Sequence, residues 1–364
     1  MRLKTERNIV ENIVFEENDL SKKLKSPRKT IYRRPDIQDV EFGAVDYFFY
    51  NNGFCNKNDL ENVKKYRILT FGDSFTYCTF IKPEDTWTSK IEFENQIYKK
   101  INYGMTGIGL YEQYRLMREL VGKNDKIIIS AIYEGNDLRD SIKHLNYIKY
   151  NTLDKKKIKK KNIKHDNFLK TNLKIIFSKS YTFNFAAGAR NFIILKSKDK
   201  HNLNFKYKYL KNNIDFNINN IDQDELSIAK KIYFNELNEN YIKNAFVKPI
   251  LKIKDLSLNN NSILVFIYIP SAHNVIKDDI IFENEDSQKY LDNMSKLQTK
   301  IFSEVCKNHN LNCLNVTKVL YDYNKKNKAL TYFPSNLHLT PEGHEVIGET
   351  VGKYLYKLIK KNEK

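Results

Sequence analysis

Four short constellations in this sequence hold the residue types that acyl transfer requires. Phe71-Gly-Asp-Ser-Phe-Thr76 places a hydroxyl, Ser74, directly after an apolar run, with Gly72 to let the backbone turn. By itself Gly-Asp-Ser also makes ordinary turns and helix caps. Ile101-Asn-Tyr-Gly104 ends a second apolar run. Gly104 there is either a tight turn or a backbone N–H that a ligand can approach. Glu134-Gly-Asn-Asp137 follows the most apolar run, and the Asn136 amide can cap a helix or donate to an oxyanion. Asn336-Leu-His338-Leu-Thr-Pro-Glu-Gly-His344 supplies an imidazole base. A nucleophile, two oxyanion donors and a base, in this order, are the stations of acyl transfer.

The elements that must position these residues alternate regularly. Tyr66–Phe71 reads as a buried strand, Asp85–Lys100 as a helix, Lys100–Tyr103 as a short strand, Leu110–Val121 as a helix and Lys126–Ile132 as a strand buried on both faces. Strand–helix alternation of this density implies right-handed crossovers and a parallel sheet. Ligands of such sheets gather beyond the carboxyl ends of the strands, where Ser74, Gly104 and Asn136 all fall. The pattern resumes with Ile263–Tyr268, a helix over Ser287–Asn308, a strand at Cys313–Val316 and a last helix from Pro341 to Ile359. Pro341 in the first turn suits that helix start.

At these blocks the sequence resembles the SGNH/GDSL hydrolases, especially in the phrases GDSFTYCTFIKPEDTW, INYGMTGIGLYEQ and FPSNLHLTPEGH. The likeness is to the bacterial envelope and polysaccharide-modifying branches. It covers residues 66–140 and 262–355, roughly half of the chain. It implies an α/β fold: a three-layer α/β/α sandwich on a mainly parallel five-stranded sheet of flavodoxin-like order. It also implies a serine esterase or acyltransferase acting on small-molecule or saccharide acyl esters, O-acetyl groups included. Ser74 would be the nucleophile and His338 the base, with an oxyanion hole built from Ser74, Gly104 and Asn136. No cofactor or metal is implied.

Two positions depart from the family pattern. Glu134 stands where the third block usually has Gly. Asn336 and Ser335 stand where the family places the Asp that orients the histidine. Asn336 can accept the imidazole N–H but cannot offset an imidazolium charge, so the expected unit is a Ser74–His338 dyad assisted by Asn336 or by a backbone carbonyl. The alternative is a weakened or non-catalytic binding protein on the same fold. Asp73 and Asp137 are expected to brace strand-end turns, Cys78 to sit in the core, His273 to lie in an exposed loop and His344 to pack at the helix start.

The rest of the chain divides into an N-terminal lead at 1–62, expected to add a strand or two, and an insertion at 141–259 between the core segments 63–140 and 260–364. The insertion carries a Lys155–Lys161 run, a helical piece near Leu169–Leu195 and a helix within Glu225–Leu256. With 41% hydrophobic residues this is a globular composition, not a disordered one. The net charge of +18 is read as solvated lysine rather than a nucleic-acid site. The four cysteines are scattered without metal spacing and are expected to be free thiols. No apolar run reaches membrane length, and charge interrupts the first twenty residues, so the expected location is cytoplasmic by default, with envelope association open.

Overall fold

The structure is a computed structural model. It describes residues 30–39, 43–49, 54–55, 66–92, 98–123, 125–142, 144–145, 207–209, 216–217, 223–282, 284–327, 330–333 and 337–362. The lead contributes an antiparallel pair, β1 (Thr30–Asp39) and β2 (Gly43–Phe49). The central sheet comprises β3 (Tyr66–Phe71), β4 (Tyr98–Asn102), β5 (Asp125–Tyr133), β8 (Ile263–Ile269) and β10 (Asn312–Asn315). Its spatial order is β10-β8-β5-β3-β4, and every pairing is parallel. This is the expected flavodoxin-like order. A small antiparallel sheet joins β6 (Tyr207–Tyr209), β7 (Phe216–Asn217) and β9 (Ile280–Phe282).

The helices are α1 (Leu110–Leu120), α2 (Gln223–Tyr233), α3 (Glu239–Asn259), α4 (Glu285–Asn308), α5 (Thr317–Asn327) and α6 (Pro341–Asn362). α1 packs on α3, α2 on α4, and α5 on α6. The central strands are buried on both faces because β5 and β8 are nearly continuous Ile, Val, Phe and Tyr, as helix-covered parallel strands require. Gln113 of α1 fastens one such contact, donating to Ala131 O at 3.0 Å and accepting from Ser130 Oγ at 2.8 Å. No described helix is long and apolar enough to cross a membrane.

The chain separates into two compact units, Leu145–Asn204 and the remainder. The separate unit is thus shorter than the 141–259 stretch, because α2 and α3 group with the core. The Lys155–Lys161 run and the piece near Leu169–Leu195 lie outside the described residues.

Two expectations are corrected. Among the described residues of Asp85–Lys100 no helix is found: a 3-10 turn at Pro83–Asp85 is followed by turns through Lys90, and β4 begins at Tyr98. Apolar Trp87 and Ile91 mimic helical spacing, but the backbone is satisfied otherwise. Thr86 Oγ1 and Ser89 Oγ both donate to Pro83 O, and Lys100 Nζ folds back onto Ser89 O and Ile91 O. Residues 74–80, after β3, form successive turns. Finally, the cysteines are not free thiols. Cys55 bonds Cys78, and Cys306 bonds Cys313. The fold brings their Cα atoms to 5.8 and 6.2 Å, a separation that disulfides span.

Candidate active site

Ser74 sits in the first turn after β3. Asp73 O accepts the N–H groups of Thr76 and Tyr77 at 3.1 and 3.0 Å, and Asp73 Oδ1 accepts that of Phe75 at 2.9 Å. These bonds hold the turn without a helix. Gly72 is obligatory, since a Cβ there would meet Thr76 Oγ1 at 2.0 Å. Ser74 itself is buried, at 8% exposure.

The Gly104 turn is drawn alongside. β3–β4 pairing continues past the strand ends through Tyr103 N–H to Thr70 O and Met105 N–H to Gly72 O. Asn102 Nδ2 donates to Thr76 O at 2.6 Å, so the second block is tied directly to the nucleophile turn. A Cβ on Gly104 would strike Tyr77 N at 2.5 Å. Gly104 N–H, expected to face an oxyanion, donates to Asn102 Oδ1 at 2.8 Å. Asn102 carried no role in the sequence reading; its place two residues before the glycine was the available signal.

Asn136 follows β5 in the next turn along. Its Nδ2 lies 3.4 Å from Asp140 Oδ2, and its Oδ1 is buried without a hydrogen-bond partner. Beneath it the polypeptide is rigidly pinned: Tyr133 N–H donates to Asp137 Oδ2 and Glu134 N–H to Ile269 O.

His338 arrives from the far end of the chain on a tight loop. Phe333 N–H donates to His338 O and Leu337 N–H to Phe333 O, with Leu337 at φ 62°. Tyr332 bridges Leu339, and Thr340 N–H donates to Thr331 O. The imidazole stacks on Phe75 at 4.8 Å, and the edge of Phe80 approaches it at 5.1 Å. Phe75 is itself stacked on Tyr133, and its carbonyl accepts Trp87 Nε1–H. In this setting His338 Nε2 lies 3.0 Å from Ser74 Oγ. That is hydrogen-bond distance between a hydroxyl and a base, the geometry of an activated nucleophile. Asn336 lies outside the described residues.

G-D-S-L lipolytic proteins resemble this chain. One from Desulfitobacterium hafniense DCB-2 shares 12% identity at a TM-score of 0.39, covering 80% of this chain and 99% of that one. An acetyl xylan esterase, AlAXEase, shares 13% at 0.38 with the same coverage. An extracellular lipase from Streptomyces rimosus shares 8% at 0.41, again over 80% and 99%. No protein-family model and no curated protein matches the chain.

Other titratable groups crowd the same sheet edge. His344 is buried as expected, and its Nδ1 accepts Trp87 N–H at 3.1 Å; burial, with the His338 charge adding, pushes it down to about 3. His273, expected in an exposed loop, is buried instead because α4 covers it: its Nε2 faces Ser295 Oγ at 3.3 Å. Burial lowers it to about 4. Glu134 is enclosed in a network that sequence reading missed. Ser295 Oγ donates to its Oε1, Asn274 Nδ2 to its Oε2 and Gln298 Nε2 to its carbonyl. Those partners come from remote segments, so no local spacing announces them. Among the described residues no cluster of three metal-ligating side chains occurs.

Proposed function

We propose that this chain is an SGNH/GDSL-type serine esterase, and the observation that carries the reading is the 3.0 Å approach of His338 Nε2 to Ser74 Oγ. His338 Nε2 takes the Ser74 proton as Oγ attacks the acyl carbonyl. The tetrahedral oxyanion is held by Ser74 N–H and the Asn136 amide, and by Gly104 N–H once it exchanges Asn102 Oδ1 for the new anion. The imidazolium then protonates the departing alkoxide, leaving an acyl-Ser74 ester. Water, deprotonated by His338, attacks that ester, and the acid departs as Ser74 recovers its proton. A second hydroxyl in place of water makes the same sequence an acyl transfer.

Asn336 orients His338 by accepting its Nδ1–H in this reading. Such an arrangement fixes the tautomer without a counter-charge; in a serine protease the Asp-to-Asn exchange lowers turnover about 10⁴-fold. The same asparagine favours the second reading, a binding protein of weak turnover. The substrate of this reading is an acyl ester, such as an acetyl group carried on a saccharide or small alcohol. The two disulfides favour an oxidising compartment over the cytoplasm.

Hydrolysis of p-nitrophenyl acetate by the purified protein, compared with Ser74→Ala, tests the assignment. Turnover that depends on Ser74 supports it. Equal rates for the two proteins favour the binding reading.

A further inference from the structure

Glu134 stands where the family pattern has Gly, and a glycine could make only the two backbone ties among those this residue makes. Its N–H donates to Ile269 O at 2.9 Å, which extends the β5–β8 pairing one residue past the strand. Its carbonyl accepts Gln298 Nε2–H at 2.9 Å. Its carboxyl accepts from Ser295 Oγ on Oε1 and from Asn274 Nδ2 on Oε2, the latter at 3.2 Å. Ser295 and Gln298 lie on α4, and Asn274 on the short helical turn Ala272–Val275 after β8. Three separate elements converge on one residue.

Glu134 is fully buried, and a carboxyl is retained in such a place where donors meet it. Burial pushes the carboxyl up, against the opposing pull of Ser295 and Asn274. Ser295 has one hydrogen and gives it to Glu134, so His273 Nε2, 3.3 Å away, is the donor on its other side. Burial lowers His273 to about 4, so at neutral pH the ring is uncharged with its one N–H at Nε2. Every shared hydrogen along His273, Ser295 and Glu134 then has a donor and an acceptor.

Asn136 lies two residues on, across Gly135, which has no side chain to brace the turn. The Asn136 amide is itself lightly held. Its acceptors are Asp140 Oδ2 at 3.4 Å and the Asp73 carboxyl, and its Oδ1 has no hydrogen-bond partner. Its place is therefore inherited from the backbone beneath it. An oxyanion donor serves only if it is held in place before the charge develops.

We propose that Glu134 is a positioning residue, fastening the Asn136 turn to α4 and to the segment after β8 and so setting where the Asn136 amide stands. Its effect on rate rests on the esterase reading, whereas the placement of the amide does not.

The test compares p-nitrophenyl acetate kinetics of wild type, Glu134→Ala, Asn136→Ala and the double variant. Glu134→Ala should lower kcat by about 10-fold with KM little changed, less than the roughly 10²–10³-fold expected on losing the donor itself. Because Glu134 acts through Asn136, adding Glu134→Ala to Asn136→Ala should lower kcat no further. Losses that multiply in the double variant, or a change in KM alone, overturn the proposal. A wild type without esterase activity defeats the esterase reading and leaves a second readout. The ¹⁵N side-chain amide signal of Asn136, identified by its loss in Asn136→Ala, should shift in Glu134→Ala and exchange its hydrogens faster. An unchanged signal overturns the proposal. Should Glu134→Ala not fold, Ser295→Ala removes a single donor from the network, and the same two readouts decide with the same signs.

Discussion

Ser74 and His338 are 264 residues apart in sequence, yet their Oγ and Nε2 atoms lie 3.0 Å apart. The contact depends on two supports. The turn after β3 is clasped by Asp73, and the imidazole is held between Phe75 and Phe80. Removing the imidazole should therefore cost far more than local packing. His338→Ala should lower kcat by about 10³-fold or more with little change in KM, since a base is needed only as the reaction proceeds. Steady-state kinetics on p-nitrophenyl acetate measure this.

Asn136→Ala should lower kcat by about 10²–10³-fold if its amide donates to the oxyanion, the range for loss of one such donor. KM should change much less, because the charge develops after binding. Kinetics alongside thermal unfolding separate this effect from instability.

Gly104→Ala places a methyl 2.5 Å from Tyr77 N. The backbone of the nucleophile turn must then move, at a cost of about 1–3 kcal/mol. Activity should fall out of proportion to stability, because the displaced segment is the one carrying Ser74. Urea unfolding and kinetics on the same variant check both parts.

The Cys55–Cys78 bond closes a loop between the lead and the nucleophile turn, with Tyr77, Phe80, Ile81 and Phe333 clustered around it. Replacing both cysteines with Ala should cost about 2–4 kcal/mol. Thiol labelling of the denatured wild-type protein, before and after reduction, should show reactive cysteines only after reduction.

His344 and Glu225 set opposite pH slopes. His344, lowered to about 3, is neutral in the fold, so its contribution is complete above the unfolded histidine value and declines as pH falls from about 6.5 toward 3. Glu225, on α2, accepts from Ser271 Oγ, and burial followed by the Glu134 charge pushes it up to about 8. Its contribution is complete below the unfolded carboxyl value and is lost as pH rises through 8. Glu225→Gln should therefore flatten the alkaline limb of the stability curve and leave the acid limb unchanged. Thermal unfolding across pH reads both limbs.

The central strands were legible because a strand buried on both faces must be a continuous apolar run, as Asp125–Tyr133 and Ile263–Ile269 are. The strand-end turns that carry Ser74, Gly104 and Asn136 were legible because a parallel sheet gathers its strand ends at one edge. Asp85–Lys100 misled because helical spacing of Trp87 and Ile91 also suits a chain pinned by side-chain hydrogen bonds. Long-range partnerships left no local trace: the Cys55–Cys78 pairing, the covering of His273 and the Ser295–Glu134 bond each join segments that only the fold brings together.

The most direct measurement is covalent labelling of the native protein with a fluorophosphonate, read by intact mass and peptide mapping. The account predicts one adduct, on Ser74, absent in Ser74→Ala and formed much more slowly in His338→Ala. An unmodified Ser74, or labelling at the same rate without His338, would contradict it.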